Sequence, residues 1–290
     1  AASTLALHPK RIVSGKEAKK LDGIGEKISK KIDEFLQTGT LKKLKTIHED
    51  EQAQAINLLT RVSGIGPVKA AELLKSGIKT FNDLEHNKDK LNHHQLIGLK
   101  YLEDFEKKIL RSEIQEIDNK LKSLISAVDP EFTVTICGSY RRGKETSGDI
   151  DVLVTHPLIK VNQEKKKCKE QMLKDLVDSL QGFIVDTISV GDTKFMGVCR
   201  LRNDLPARRL DIRLIPREQY YCAVLYFTGS DVFNKTMRAR ALEMGYTLNE
   251  YSLTPIGITG VRGEAVPISS EEEIFDYIDY PYKEPHERNL

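Results

Sequence analysis

An α+β fold, with helices filling the first half and a mixed sheet in the centre, is predicted by three observations. Apolar residues recur at helical spacing between glycine breaks up to about residue 127, β-branched runs dominate from residue 132, and a Gly-Ile-Gly segment occurs twice within the helical half. At roughly 100–200 residues per domain, the 290 residues allow two domains or several small modules, with ample chain to bury a core.

Residues 1–47 read as helices broken at Gly15, Gly23, Gly25 and Gly39. Ile28, Ile32, Phe35 and Leu36 fall on one helical face, which predicts an amphipathic helix over residues 28–37. The polar stretch 48–54 reads as a linker or helix start, and residues 55–108 as further helices punctuated by Gly64, Gly66 and Gly77. The repeat aligns Leu21-Asp22-Gly23-Ile24-Gly25-Glu26-Lys27-Ile28 with Val62-Ser63-Gly64-Ile65-Gly66-Pro67-Val68-Lys69. A long polar helix over 111–127 is followed by strands at 132–137, 150–154, 183–188, 195–201 and 209–215, with a helix over 163–180 between the second and third. Past Pro216, helices over 219–228 and 230–244 mix with short strands and Gly/Pro turns. The run Lys165-Lys166-Lys167 reads as a solvated loop or helix start. These limits divide the chain into 1–47, 48–110, 111–217 and 218–290.

A hydrophobic content of 39% and a charged content of 30% fit a globular chain and exclude a disordered one. No apolar run approaches the roughly 20 residues that span a bilayer, and the first residues lack the basic flank of a signal peptide, so no membrane association is expected. Net charge is only +2, but its distribution is uneven. Lys10, Arg11, Lys16, Lys19, Lys20, Lys27, Lys30, Lys31, Lys42, Lys43 and Lys45 crowd the start, while Glu271, Glu272, Glu273, Asp276, Asp279, Glu284 and Glu287 crowd the end. The asymmetry points to an anion-binding first part; ordinary solvated helix faces give the same pattern. Cys137, Cys168, Cys199 and Cys222 form no Cys-x-x-Cys pair, which argues against a zinc site or disulfide framework and for a reducing compartment.

The chemistry concentrates in Cys137-Gly138-Ser139-Tyr140-Arg141-Arg142-Gly143 and Ser147-Gly148-Asp149-Ile150-Asp151-Val152. Read as one strand ending in Gly138-Ser139 and the next beginning at Asp149, the pattern puts Asp149 and Asp151 on one face and Ile150 in the core. Like charges held that close call for a cation between them, and hard divalent ions such as Mg²⁺ take carboxylate oxygens. Asp211, in Arg209-Leu210-Asp211-Ile212-Arg213, alternates the same way, and a neighbouring strand can bring it beside the pair. Three carboxylates seat two metals about 4 Å apart. Gly138 allows close backbone approach to phosphate, Ser139 offers a hydroxyl, and Arg142 a bidentate grip. Arg141 is read equally well as a structural arginine. His93-His94 diverge by about 100° on a helix and are read as structural or DNA-proximal, not as ligands.

The Gly-Ser and Asp-x-Asp combination between β-rich runs resembles the nucleotidyltransferase superfamily. Tyr226-Phe227-Thr228-Gly229-Ser230-Asp231-Val232-Phe233-Asn234-Lys235-Thr236-Met237-Arg238 narrows the resemblance to the family X DNA polymerases, and Asp-Val-Phe-Asn-Lys with Asn249-Glu250-Tyr251 to their beta-type branch. The likeness runs over essentially the whole chain. It implies a partial lyase domain with a first helix-hairpin-helix (1–47), a helical DNA-binding subdomain with a second (48–110), a catalytic palm (111–217) and a nucleotide-selection subdomain (218–290).

By that resemblance, Asp149 and Asp151 bind both Mg²⁺ ions, and Asp211 binds the catalytic one and assists deprotonation of the primer 3′-hydroxyl. Ser139, Arg142, Ser147 and Gly148 hold the triphosphate, while Tyr226, Phe227 and Gly229 pack near the sugar. Asp231 and Asn234 contact the incoming nucleotide, Lys235 and Arg238 the template strand, and Arg213 changes ion-pair partners on closure. Gly23, Gly25, Gly64 and Gly66 let backbone N–H groups meet DNA phosphates at helix N-termini. Carbonyls of Lys19, Leu21 and Ile24, and of Thr60, Val62 and Ile65, bind Na⁺ or K⁺. Lys31 is the Schiff-base lysine of a 5′-deoxyribose phosphate lyase, activated by Lys27 and Lys30, with Lys27 also a phosphate contact. The chain then begins inside that domain, which puts lyase activity in doubt, and Lys108 stands where beta-type members carry an arginine, losing bidentate geometry.

The function implied is template-directed gap filling in base excision repair, on gapped or nicked duplex DNA with deoxynucleoside triphosphates, by a nuclear monomer with repair scaffold proteins as partners. The alternatives are another family X polymerase, template-independent or acting in double-strand-break repair, and a catalytically silent DNA-binding scaffold.

Overall fold

Glycine placement shapes the first hundred residues and strand register the remainder. The computed structural model describes residues 1–43, 51–161, 166–257 and 259–290. Lys45, the start of the stretch at 48–54, Lys165 and the first residues of the helix expected over 163–180 lie outside them. The chain divides into two units, Ala1–Lys100 and Tyr101–Leu290.

The first unit carries helices Gly15–Ala18, Glu26–Thr38, Glu51–Leu59, Pro67–Lys75, Phe81–His86 and His93–Lys100. The amphipathic helix expected over 28–37 is Glu26–Thr38, closed by Gly39 at φ 70°, a left-handed cap that any side chain would strain. Each Gly-Ile-Gly joins two helices, with Ala18 and Ile24 buried in the first copy and Leu59, Val62 and Ile65 in the second. Thr80 and Asp83 form a reciprocal capping box that starts Phe81–His86.

The second unit pairs β1 (Ile109–Leu110) with β3 (Thr146–Ser147) in a short ribbon and is built on a five-stranded mixed sheet. Its strands are β2 (Thr133–Ile136), β4 (Ile150–Thr155), β5 (Ile184–Val190), β6 (Lys194–Cys199) and β7 (Arg208–Leu214), in the order β2-β4-β7-β6-β5. Only β4 and β7 run parallel. Helix Arg111–Val128 places Ile114, Ile117, Leu121 and Ile125 on one fully buried stripe, and Lys166–Ser179 adds Leu173 and Leu176. Together they cover the sheet face made by Ile150, Val152, Val154, Leu210, Ile212 and Leu214. Each such side chain removed from water stabilises the unit by about 1.5–3 kcal/mol. Alternation sends Asp151, Leu153, Asp211 and Arg213 to the opposite face, where Leu153 meets Ala223 and Val224 of helix Tyr220–Thr228.

A separate apolar cluster joins Phe233, Met237 and Ala241 of helix Asp231–Glu243 to Ile274 and Phe275 of helix Glu271–Tyr277 and to Leu253. The ribbon of Tyr246–Leu248 with Leu253–Pro255, and that of Ile109–Leu110 with Thr146–Ser147, consist of strands of two or three residues, too short for periodicity to reveal. Among the described residues no helix is long and apolar enough to cross a membrane. Cys137, Cys199 and Cys222 are buried free thiols.

Candidate active site

Register brings the carboxylates together. In the parallel pairing of β4 with β7, Asp151 and Asp211 are direct partners, although far apart in sequence. The sequence reading differs from the structure at Asp149: the strand starts at Ile150, so Asp149 sits on the preceding turn, exposed, and not at strand position i. It still faces the pair electrostatically. Burial, then the charges of Asp149 and Asp211, push the Asp151 carboxyl up to about 6, against the opposing pull of Arg213 and Arg209. Asp211 is held by Arg209, Nη2 to Oδ1 at 3.0 Å, with Lys194 Nζ at 3.9 Å from Oδ2. Arg213 lies over the Phe227 ring at 4.7 Å, and its buried Nε has no hydrogen-bond partner among the described residues.

Gly138 and Ser139 do not end a strand as expected. After β2 the chain turns into a short helix, Gly138–Arg141, entered through Gly138 at φ 61°. A Cβ at Gly138 would stand 3.6 Å from Asp151 Oδ2, so glycine there keeps both backbone and carboxylate accessible. Ser139 Oγ donates to Ser147 Oγ at 2.8 Å, and Lys108 Nζ lies 3.8 Å from where a Gly148 side chain would begin. Arg142 Nη1 donates to the Thr228 carbonyl at 2.5 Å.

The open alternative at Arg141 resolves to a structural arginine. It donates to Thr228 Oγ1 at 2.9 Å and pairs with Glu271. Glu271, read from sequence as part of an acidic solvated end, is buried and also accepts from Arg288 at 2.7 Å. Two arginines make its burial tolerable, a long-range arrangement that no local pattern signals.

A cleft of about 550 Å³ collects Gly138, Ser139, Arg142, Asp149 and Asp151 on one side, and Tyr226, Phe227, Gly229, Asp231, Asn234, Lys235 and Arg238 on the other. Asp211, Ser147 and Gly148 are not among its lining residues. The expected tight turn is Gly229 at φ 66°, and Ser230 Oγ caps the helix that follows by accepting from Phe233 N–H. Asn234 Nδ2 donates to the Tyr226 carbonyl at 2.8 Å, Arg238 stacks on Tyr226 at 5.1 Å, and Asp231 pairs with Lys235 at 2.6 Å.

In the first unit the two Gly-Ile-Gly copies share the same turn hydrogen bond. Ile24 N–H donates to Leu21 C=O at 3.2 Å and Ile65 N–H to Val62 C=O at 3.0 Å. Gly23 and Gly64 have φ of 74° and 90°, while Gly25 and Gly66 cap the next helices at φ −86° and −85°. A Cβ at Gly25 or Gly66 would meet nothing within 4 Å, which leaves both helix N-termini open to an anion. Among the described residues no backbone N–H is bonded to the carbonyls of Lys19, Ile24, Thr60 or Ile65. His94 packs at the second copy, with Nε2 3.1 Å from Ser63 Oγ, and buried Gln95 donates to the Gly64 carbonyl at 3.0 Å. Lys31 is exposed and lines an apolar groove with Ile28, Ile32 and Phe35, together with Lys10 and Arg11.

Comparison with known proteins decides the family. Residues 108–217 match the family profile described as DNA polymerase beta palm and 223–289 that of the DNA polymerase beta thumb. Residues 57–106 match the fingers domain of DNA polymerase lambda, and 1–41 a helix-hairpin-helix domain. The chain belongs to the family X DNA polymerases.

Within family X, the chain is 36% identical over 97% of its length to DNA polymerase lambda of Arabidopsis thaliana, covering 55% of that protein. It is 33% identical over its whole length to DNA polymerase lambda of Rattus norvegicus, covering 51%. To the DNA-directed DNA/RNA polymerase mu of Homo sapiens it is 26% identical over its whole length, covering 63%. The chain thus spans about half the length of the first two relatives. The sharper expectation of a beta-type member is not what these names favour: palm and thumb profiles carry the beta name, the fingers profile and the Arabidopsis and rat relatives the lambda name.

One other cluster in this family X chain has metal-like spacing. Ligand atoms of Asp129, Glu131 and His156 lie within 4.8 Å of one another. His156 Nδ1 accepts from Leu158 N–H at 3.2 Å, which puts the ring proton on Nε2, 3.3 Å from Asp129. That Nε2 makes no hydrogen bond among the described residues, and in its protonated form it offers no lone pair to a metal.

Proposed function

We propose that this chain is a DNA-directed DNA polymerase that extends a primer 3′-hydroxyl across short gaps by two-metal nucleotidyl transfer, acting in base excision repair in the nucleus. The observation that carries the reading is the partnering of Asp151 with Asp211 across β4 and β7, with Asp149 close enough to raise the Asp151 carboxyl. Three carboxylates whose mutual repulsion Arg213 and Arg209 offset only in part are a donor set for hard divalent cations. When bound, two Mg²⁺ ions supply activation of the hydroxyl and neutralisation of the triphosphate.

The chain's own residues have separate tasks in this scheme. Asp149 and Asp151 would hold both metals and Asp211 the catalytic one, where it would accept the proton of the primer hydroxyl; Arg209 and Lys194 keep Asp211 oriented. Ser139, Ser147, Gly148 and Arg142 bind phosphate oxygens, and Lys108 adds charge beside Gly148. Tyr226, Phe227 and Gly229 border the sugar, Asp231 and Asn234 orient the nucleotide, and Lys235 and Arg238 meet the template strand. Gly23, Gly25, Gly64 and Gly66, with Lys27, anchor duplex phosphates without reading sequence. Carbonyls of Lys19, Leu21 and Ile24, and of Thr60, Val62 and Ile65, hold a monovalent cation in each hairpin. Lys31, with its amine at an apolar groove beside Lys10 and Arg11, serves 5′-deoxyribose phosphate removal. The domain limits follow the same reading: 1–47, 48–110, 111–217 and 218–290.

The second reading, a lambda- or mu-like member acting in double-strand-break repair or without a template, is favoured by the names of the relatives and their greater length. Single-nucleotide extension on gapped DNA, with and without a templating base, separates the readings. Template-dependent incorporation on a short gap supports the first, and equal incorporation without template overturns it. No incorporation under either condition leaves the silent scaffold.

A further inference from the structure

We propose that Asn289 is a positioning residue for nucleotide binding, one that holds the Arg142 guanidinium from behind so that its open edge serves the triphosphate; the proposal rests on the polymerase reading above. Asn289 Oδ1 accepts from Arg142 Nε at 3.0 Å, and its Nδ2 donates to the Arg142 carbonyl at 3.0 Å and to the His286 carbonyl at 3.0 Å. Every polar atom of the amide is thus in use, and two of its three bonds fall on one residue. With Nη1 committed to the Thr228 carbonyl, Nη2 of Arg142 has no partner among the described residues, on a side chain that lines the cleft. Arginine ordinarily loses rotamer freedom when it grips a ligand. Here that loss is taken before the nucleotide arrives, which leaves more of the phosphate interaction for affinity.

The backbone that carries this exposed amide is fixed through its neighbour. Arg288, next in the chain, is fully buried; its Nε donates to the Lys283 carbonyl at 2.9 Å and its Nη1 to Glu271 at 2.7 Å. Its guanidinium carbon lies 5.4–5.7 Å from the ring centres of Phe233, Phe275 and Tyr282, and its carbonyl accepts from Ser230 N–H at 3.2 Å. So the C-terminal subdomain's core pins the backbone from which Asn289 reaches Arg142. The chemistry selects the residue: an acceptor must face Nε–H while a donor faces a carbonyl, and no negative charge can be placed beside a triphosphate site without cost. Asparagine meets all three conditions, whereas aspartate meets only the first.

The test is a double-mutant cycle on single-nucleotide insertion, using Asn289→Ala, Arg142→Ala and both together. Loss of a hydrogen-bonded hold predicts a rise in KM for the nucleotide of about fivefold in Asn289→Ala, with kcat within about twofold. In the Arg142→Ala background the same change adds nothing. An unchanged KM, or an equal rise in both backgrounds, overturns the proposal. A second readout does not depend on activity: the Arg142 Nε–H resonance, followed by ¹⁵N NMR, exchanges slowly in the wild-type chain and fast in Asn289→Ala. Equal exchange in the two overturns the hold even if the chain proves not to polymerise, while absent incorporation by the wild type bears only on the polymerase reading.

Discussion

On the reading proposed above, the two units place function in different parts of the chain. In the second, it rests on side chains that strand register brings together, as at Asp151 and Asp211. In the first, it rests on backbone that glycine leaves uncovered, as at Gly25 and Gly66. A side-chain site fails when a functional group is removed and tolerates little rearrangement. A backbone site is indifferent to neighbouring side chains and fails when an atom is added. The comparison therefore predicts opposite mutational signatures.

The largest effect belongs to the side-chain site. Asp211→Ala is expected to lower kcat by about three orders of magnitude or more, with little change in nucleotide affinity, because Asp149 and Asp151 still hold the triphosphate metal. Single-turnover extension of a gapped substrate checks this, and extension within about tenfold of wild type would remove Asp211 from the catalytic set. Gly66→Val sharpens the other half: at φ −85° and in open space the valine folds without strain, yet duplex affinity should fall about tenfold and equally on unrelated sequences. Loss on one sequence alone would mean that side chains, not backbone, read the DNA there. Gly98→Ala provides the contrast, since its Cβ would lie 2.1 Å from the Ser63 carbonyl oxygen. It should cost stability, about 1–3 kcal/mol by denaturant melting, and weaken DNA binding only through the distorted hairpin.

A smaller effect concerns pH. The Asp151 carboxyl is raised to about 6 in the folded chain against 3.8 for a free aspartate side chain. The folded state therefore binds the extra proton between these values, and stability of the metal-free protein falls as pH rises from about 4 to 6. Mg²⁺ competes for the same carboxylate, so the thermal shift it gives should be larger at pH 8 than at pH 5; equal shifts would place the ion elsewhere. The smallest signal is expected from Lys31, where the first unit is assigned side-chain chemistry after all. Borohydride trapping on a 5′-deoxyribose phosphate end should give a weak adduct that Lys31→Ala abolishes, and an unchanged adduct would identify another lysine.

The helices and the sheet were legible because burial and period coincide. Ile114, Ile117, Leu121 and Ile125 announce a helix, and Leu210 and Ile212 flanking Asp211 announce a half-buried strand. Convergence of Asp211 on Asp151 was legible for the same reason: alternation fixes the face, and a mixed sheet makes the strands available as neighbours. The turn into Gly138–Arg141 and the off-strand position of Asp149 were not, since one residue of register separates the readings. Lys194 escaped because its approach to Asp211 depends on the pairing of β6 with β7, whereas Arg209 stands two residues from Asp211 on the same face of β7 and was within reach of the same alternation. Glu271 and Asn289 escaped because each acts on a residue more than a hundred positions away.

The parallel pairing of β4 with β7 also bears on how the protein is made. Asp151 and Asp211 stand sixty residues apart in sequence, and closing a loop of that length costs of order 4 kcal/mol in chain entropy before the strands reward it. Local helices and the antiparallel β5-β6-β7 meander carry no such penalty and can form first. The carboxylate set is therefore completed only after β7 has left the ribosome and docked beside β4. A chain interrupted before that point has its hairpins, Asp149 and Asp151 but not Asp211, so on the reading proposed above it would hold DNA without altering it.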